Sequence, residues 1–151
     1  MQSGRAFCFE TLDWRPKNSS ARQLSQICLF IFQIPFIKLA QSVHGNKPIK
    51  LYASPWTAPS WMKSNGELTG QGYLLPEYYP TWANYFIKFL DHYKNHEVEF
   101  WGLTAQNEPW NGLAPNFPFN AMGWNASMQR EWIVDHLGPS LYKLSSLLQL
   151  I

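Results

Sequence analysis

Residues 98–109 read VEFWGLTAQNEP, and this stretch decides the fold class of the 151-residue chain. Its first seven residues are mostly apolar and β-prone, so they predict a strand, and Ala105 and the polar run 106–108 follow directly. The same design occurs at residues 49–59, IKLYASPWTAP, where 49–54 predicts a strand and two prolines forbid further pairing. Each predicted strand therefore ends in a compact polar and aromatic cluster that proline fixes.

Helical patterns separate and follow these two strands. Over residues 81–95, apolar side chains recur at spacings of three and four, and Pro80 suits the first turn. A further helix is predicted over residues 126–137, with Asn125 as its cap and the Gly138-Pro139 pair as its stop. The order of elements is therefore an alternation of strands and helices.

This alternation favours parallel strands joined by helical crossovers. A doubly wound sheet and a (β/α)8 barrel both satisfy it, but no Gly-rich phosphate loop follows either strand, which disfavours a nucleotide-binding sheet. A barrel needs roughly 200–250 residues or more. Because only two strands are predicted, the sequence indicates an α/β fold that is an incomplete (β/α)8 TIM barrel.

Composition excludes several classes of protein. A hydrophobic fraction of 46% excludes a disordered chain, and a net charge of +2 with scattered basic residues gives no nucleic-acid face. No 18-residue apolar run predicts a transmembrane helix. The apolar stretch 26–39 lies too far from the N-terminus for an export signal, so it predicts buried structure interrupted by Pro35. Cys8 and Cys28 lack metal-site spacing, and free thiols are favoured over the alternative of one disulfide between them.

Eight tryptophans suggest both a packed core and flat walls for a ring-shaped ligand. Core packing is predicted for Trp61, Trp82 and Trp101. In barrels the carboxyl ends of the strands form the active face, so Glu108 and Asn107 are candidate site residues. We expect Glu108 to be partly desolvated there and able to hold a proton. An ordinary solvated loop glutamate fits the spacing equally well.

Residues 51–66 resemble the third-strand region of glucosylceramidases in glycoside hydrolase family 30, and residues 100–109 resemble their fourth strand. Residues 81–90 and 135–141 are similar to the helix between these strands and to a downstream segment, so the resemblance covers about residues 34–141. Asn-Glu-Pro occurs in many barrel glycosidases, whereas the Ser-Pro-Trp-Thr block before it is specific. The resemblance implies a partial barrel around strands 3 and 4.

The resemblance also implies roles for single residues. Glu108 resembles the acid/base that protonates the glycosidic oxygen and later activates water, and Asn107 resembles the residue that binds the sugar 2-hydroxyl. Trp56 resembles a wall of the glucose pocket, and Trp110 is expected on the aglycone side. The implied reaction converts glucosylceramide to glucose and ceramide by a two-glutamate mechanism, which needs no metal or organic cofactor.

The implied nucleophile is a glutamate on the family's seventh strand, and of the ten acidic residues only Glu108 lies in a family catalytic motif. We therefore expect this chain to be inactive alone. The implied partners are a glycosphingolipid at a membrane surface and a saposin-like activator, with no nucleic acid, and the implied location is lysosomal or secretory. Xylanase or β-1,6-glucanase activity within the same family, or a non-catalytic truncated product, remain alternatives.

The predicted organisation is an atypical N-terminal extension at 1–26, a barrel fragment at 27–141 and a divergent tail at 142–151. No strand is expected in the extension. Two N-x-S/T sequons, at Asn18 and Asn125, fit a secretory route, although such triplets are also common by chance.

Overall fold

The computed structural model describes residues 5–9, 33–45, 49–144 and 149–150. Its sheet has four strands: β1 (Arg5–Phe9), β2 (Leu51–Pro55), β3 (Gly102–Leu103) and β4 (Gln149–Leu150). All three strand pairs are parallel, and the spatial order β1-β2-β3-β4 equals the chain order. A doubly wound sheet reverses direction at its centre. The uninterrupted order is instead that of a barrel wall, which confirms the predicted partial barrel.

A helix lies between each pair of consecutive strands. Helix α1 (Ile34–Val43) leads to β2, helix α2 (Tyr79–Lys94) leads to β3, and helices α3 (Ala126–Trp132) and α4 (Gly138–Leu144) precede β4. Pro35 occupies the first turn of α1, and the residues directly before Gln33 lie outside the described part of the chain, so the predicted interruption by Pro35 stays a prediction. None of the helices in these described ranges is long and apolar enough to span a bilayer.

Helix α2 supplies most of the aromatic core, and its prediction is confirmed to within two residues at the start. One face of the helix is buried and packs toward the sheet, while Lys88, Asp91 and Lys94 are exposed as expected. The buried side chains of its stripe are Trp82, Tyr85, Phe86, Phe89, Leu90 and Tyr93.

The two faces of the β2–β3 pair differ in chemistry. Leu51, Ala53 and Leu103 join the hydrophobic core on the face that the helices cover. Because successive side chains of a strand point to opposite faces, Ser54 and Thr104 lie on the other face. In a closed barrel that second face points to the interior. The alternation therefore places polar groups on the barrel side of the sheet.

Helix α3 begins as predicted but does not stop at the Gly138-Pro139 pair. A π-helical turn, Ile133–Leu137, links α3 to α4, which continues to Leu144. The wider turn accommodates Pro139, whose nitrogen cannot donate a hydrogen bond to the preceding turn. Buried Trp132 anchors the junction by donating from Nε1 to the Tyr79 carbonyl at 3.0 Å.

One further sequence expectation is wrong, near the start of the chain. Arg5–Phe9 forms β1 inside the predicted extension, paired with β2 from Arg5 opposite Leu51 to Phe9 opposite Pro55. The predicted tail contains the end of α4 and strand β4, which leaves its divergence in sequence untested. Residues 26–32, Asn18 and Cys28 lie outside the described residues, and so does the side chain of Cys8. The proposed domain boundaries stay a prediction.

Trp101 is also not a core residue. Its side chain is exposed, and Lys50 Nζ lies 4.5 Å from its ring centroid. By contrast Trp82 is fully buried and Trp61 packs against the core, as predicted. A cation over an indole face stabilises the exposed arrangement.

Candidate active site

The carboxyl ends of β2 and β3 are joined tightly by hydrogen bonds. Ser54 Oγ and Thr104 Oγ1 lie 2.5 Å apart on the barrel side of the sheet, and the Asn107 backbone N–H donates to the Pro55 carbonyl at 2.9 Å. Because these bonds fix both strand ends, the residues that follow start from defined positions. The sheet therefore brings together the two polar clusters that the sequence singled out.

Strand β3 bulges as it enters the site. The carbonyls of Ala53 and Pro55, two residues apart on β2, accept hydrogen bonds from Thr104 and Asn107, three residues apart on the other chain segment. One extra residue therefore lies between Thr104 and Asn107, which is the definition of a bulge. Bulges bend a strand and re-aim side chains, so this one changes the direction in which Asn107 and Glu108 leave the sheet.

Glu108 has a strained backbone and an accessible carboxylate. Its φ is 42°, in the left-handed region that costs a non-glycine residue roughly 1–2 kcal/mol. Pro109 follows it, and the Glu108 carbonyl accepts from Asn111 N–H at 3.0 Å, which closes the turn. Such strain recurs at functional sites, where surrounding bonds over-determine the conformation.

The predicted partial desolvation of Glu108 is wrong for this structure. Its side chain is exposed, because it stands beyond the end of β3 where no described residue covers it. Asn107 beside it is half-buried. Neither side chain makes a hydrogen bond or ion pair within the described ranges, so both present their polar atoms for a ligand.

Gln106 is a site residue that the sequence analysis missed. Its side chain is only 7% exposed, and Nε2 donates to the Trp56 carbonyl at 2.8 Å and to the Asn107 carbonyl at 3.1 Å. The amide thus ties the segment after β2 to the one that carries Glu108. The one sequence feature that pointed to Gln106 was its position directly before Asn-Glu-Pro. From the sequence alone, however, a buried glutamine at that position cannot be told from an exposed one.

Trp56 and Trp110 lie in different surroundings. Trp56 is half-buried, and its ring centroid lies 5.5 Å from that of Phe119, which in turn contacts Phe117 at 4.5 Å. Trp110 is 77% exposed. The structure thus places Trp56, Asn107 and Glu108 on connected segments at one edge of the sheet, with Trp110 on the turn that follows.

Two loops frame this edge: the β2 loop (residues 56–75) and the β3 loop (residues 104–125). Four backbone hydrogen bonds of 2.7–3.2 Å join them, among them Gly72 N–H to the Gly112 carbonyl and Gly123 N–H to the Gly72 carbonyl. A Cβ on Gly112 would lie 2.0 Å from the Gly123 nitrogen. Only glycine permits this approach of the two backbones. We call the contact among Gly72, Gly112 and Gly123 the glycine crossing, and it holds the two loops together.

Lys63 is a buried charge that joins the same two loops. Its side chain is 3% exposed, and Nζ donates to the Leu68 carbonyl at 3.1 Å and to the Ala121 carbonyl at 2.8 Å. Burial lowers the pKa of Lys63 from 10.5 to about 8, and the nearby charge of Glu67 opposes that shift. Lys63 therefore strengthens the loop contact at an electrostatic cost.

This cost predicts a pH dependence of stability. Between pH 8 and 10.5 the unfolded chain keeps a proton on Lys63 that the folded chain has lost, so the free energy of unfolding rises with pH across that window. The penalty, about 3 kcal/mol, is fully present below pH 8. Urea unfolding at several pH values, of the chain and of its Lys63→Met variant, measures the difference in the free energy of unfolding between the two proteins. An unchanged difference from pH 8 to 10.5 contradicts the burial of the charge.

The matching family model and two similar proteins point to the same protein family. The model of the glycosyl hydrolase family 30 TIM-barrel domain matches residues 17–149. Putative glucosylceramidase 4 of Caenorhabditis elegans is 45% identical over 114 residues, which cover 73% of this chain and 22% of that protein. Lysosomal acid glucosylceramidase of Mus musculus is 44% identical over 113 residues, covering 72% of this chain and 22% of that protein.

The fold agrees with a solved enzyme structure. The endo-β-1,6-glucanase BT3312 superposes with a TM-score of 0.70 at 26% identity, covering 81% of this chain and 27% of that one. The chain spans about a fifth of the length of the curated relatives that it matches.

Proposed function

Because the chain belongs to glycosyl hydrolase family 30, we propose that it carries the acid/base half of a retaining β-glucosidase that hydrolyses glucosylceramide to glucose and ceramide. The observation that carries the proposal is the position of Glu108, on a strained turn at the carboxyl end of β3 with Asn107 pinned to β2 beside it. The identity of 44–45% to glucosylceramidases supports the substrate.

The reaction has two steps in this proposal. In the first, a second carboxylate attacks the anomeric carbon while Glu108 donates its proton to the glycosidic oxygen, and ceramide leaves as an alcohol. In the second, the Glu108 carboxylate removes a proton from water, and the water releases glucose from the carboxylate. The nucleophile comes from a later barrel strand, so the 151 residues alone do not turn over substrate.

Asn107 and Trp56 hold the sugar during both steps. The Asn107 side chain binds the 2-hydroxyl, a contact that strengthens as positive charge develops at the anomeric carbon. The ring of Trp56 packs on the C–H face of the glucose. The substrate is a glycosphingolipid at a membrane surface, delivered with a saposin-like activator in a lysosomal or secretory compartment. The similarity to lysosomal acid glucosylceramidase of the mouse supports the glycolipid substrate and the lysosomal compartment alone.

Grafting tests the substrate class. In one hybrid the matching segment of the mouse enzyme is replaced by that of this chain; we refer to it as the grafted enzyme. In the other, the segment replaces its counterpart in the endo-β-1,6-glucanase BT3312. We expect hydrolysis of glucosylceramide by the grafted enzyme and no glucanase activity in the second hybrid, because each barrel must close on complementary strands. Activity of only the glucanase hybrid contradicts the glucosylceramide proposal and favours the β-1,6-glucanase alternative.

Gln106 is expected to position Trp56 and Asn107 in the grafted enzyme. Gln106→Leu removes both amide donors, so we expect kcat to fall by up to about 10²-fold, the usual effect of a small misplacement. Gln106→Glu donates only while its carboxyl is protonated, so its activity relative to wild type should fall as pH rises. The pH profiles of kcat measure this, and parallel profiles for the three proteins exclude the donor role.

A further inference from the structure

The sequon Asn125-Ala126-Ser127 stands in a defined and accessible position. All three residues are exposed, and they follow buried Trp124 at the start of α3. The residue between asparagine and serine is alanine, which permits recognition of the sequon, whereas proline would prevent it. A sequon on a solvent-facing turn satisfies the first requirement for carrying a glycan in the folded state.

The two ends of the Asn125 amide have separate tasks. Oδ1 accepts a hydrogen bond from Met128 N–H at 2.9 Å and so caps α3. Nδ2, the atom to which an N-linked sugar attaches, has no hydrogen-bond partner among the described residues. A glycan on Nδ2 keeps the carbonyl oxygen in place, so glycosylation and helix capping are compatible.

We propose that Asn125 is an N-glycosylation site, with the glycan on the rim of the active face. In a β-loop-α unit the helix N-terminus lies at the same edge as the carboxyl end of the preceding strand, which here carries Asn107 and Glu108. The sugar therefore projects into solvent beside the β3 loop. This inference rests on the secretory route of the proposed function.

The test imposes that route, so its failure and failure of the proposed function are distinguishable. The chain is expressed in eukaryotic cells behind a cleavable export signal, with Asn18→Gln removing the other sequon. Peptide N-glycosidase should increase gel mobility and convert Asn125 to aspartate in its tryptic peptide. No conversion at Asn125 in the exported chain overturns the proposal, whatever the enzyme's substrate.

Matched variants separate the sugar from the cap. Ser127→Ala should abolish the glycan and Ser127→Thr should retain it, while both leave the Oδ1 cap untouched. Asn125→Asp keeps an oxygen that can cap α3 but loses Nδ2, the nitrogen to which the sugar would be attached. Hydrogen exchange at Met128 should be equally slow with the glycan and in Ser127→Ala. Persistence of the glycan in Ser127→Ala, or fast exchange at Met128 only in the glycosylated chain, contradicts the proposed geometry.

Discussion

Glu108→Gln in the grafted enzyme is expected to lower kcat for glucosylceramide by about 10²–10⁴-fold, the usual contribution of a positioned general acid/base. Glutamine keeps the size of the side chain but can neither donate a proton to the leaving oxygen nor take one from water. The fall should appear in kcat and kcat/KM alike, because the lost interaction exists only in the transition state. Steady-state kinetics with the lipid substrate measure it.

The control for this variant is Glu99→Gln. Glu99 is an exposed glutamate that precedes β3, at the opposite end of the strand from Glu108. It should leave kcat unchanged, because it is remote from the site edge. Equal losses in the two variants would mean that the effect comes from general damage to the barrel and would refute the assignment of Glu108.

An activated substrate separates the two roles of Glu108. An aryl glucoside with an acidic phenol as leaving group needs no proton, so the first step should survive in Glu108→Gln. The second step still lacks its base, so the covalent intermediate should accumulate and KM should fall together with kcat. Rapid mixing should reveal a burst of phenol. If Glu108→Gln loses the burst as well as the turnover, Glu108 does more than transfer protons, and its proposed role is contradicted.

Gly112→Ala is expected to have the largest effect on stability. Its Cβ would lie 2.0 Å from the Gly123 nitrogen and 2.2 Å from the Met122 carbonyl carbon, so backbone must move. Overpacking of this kind costs up to about 3 kcal/mol. The midpoint of thermal unfolding of the grafted enzyme should fall accordingly, and the Gly72 and Gly123 amides should exchange faster as the loops separate.

Gly72→Ala is the matched control in the same crossing. The three atoms nearest to its Cβ would all belong to the side chain of Asn65, which can turn away at the loss of two exposed hydrogen bonds. We therefore expect a clearly smaller fall in the unfolding midpoint than in Gly112→Ala. Equal midpoints for the two variants would show that backbone contact at Gly112 does not stabilise the loops.

The local patterns of the sequence predicted part of this fold. The stripe of α2 and the apolar cores of β2 and β3 follow from spacing alone, because each element buries a continuous face of its own residues. Strand β1 does not, since the short segment Arg5–Phe9 becomes a strand by pairing with β2, which is distant in the chain. The passage of α3 into α4 likewise depends on packing of Trp132 and Leu137, which outweighs a local stop signal.

The candidate site divides in the same way. Glu108 and Asn107 were identified from a short motif at a predicted strand end, and their roles stay proposals. Gln106 and Lys63 could not be found, because their partners are backbone carbonyls of other segments, which carry no sequence signature. The exposure of Glu108 also depends on which elements cover the strand ends, and a single motif does not encode that.

The most direct test of the central assignment is azide rescue of Glu108→Gln with the activated aryl glucoside. Azide needs no base to attack the glycosyl intermediate, so it should restore turnover if Glu108 is the acid/base of a retaining mechanism. Nuclear magnetic resonance of the product should show β-glucosyl azide, since two displacements retain configuration. Absence of rescue, or an α-configured azide, would contradict the assignment of Glu108.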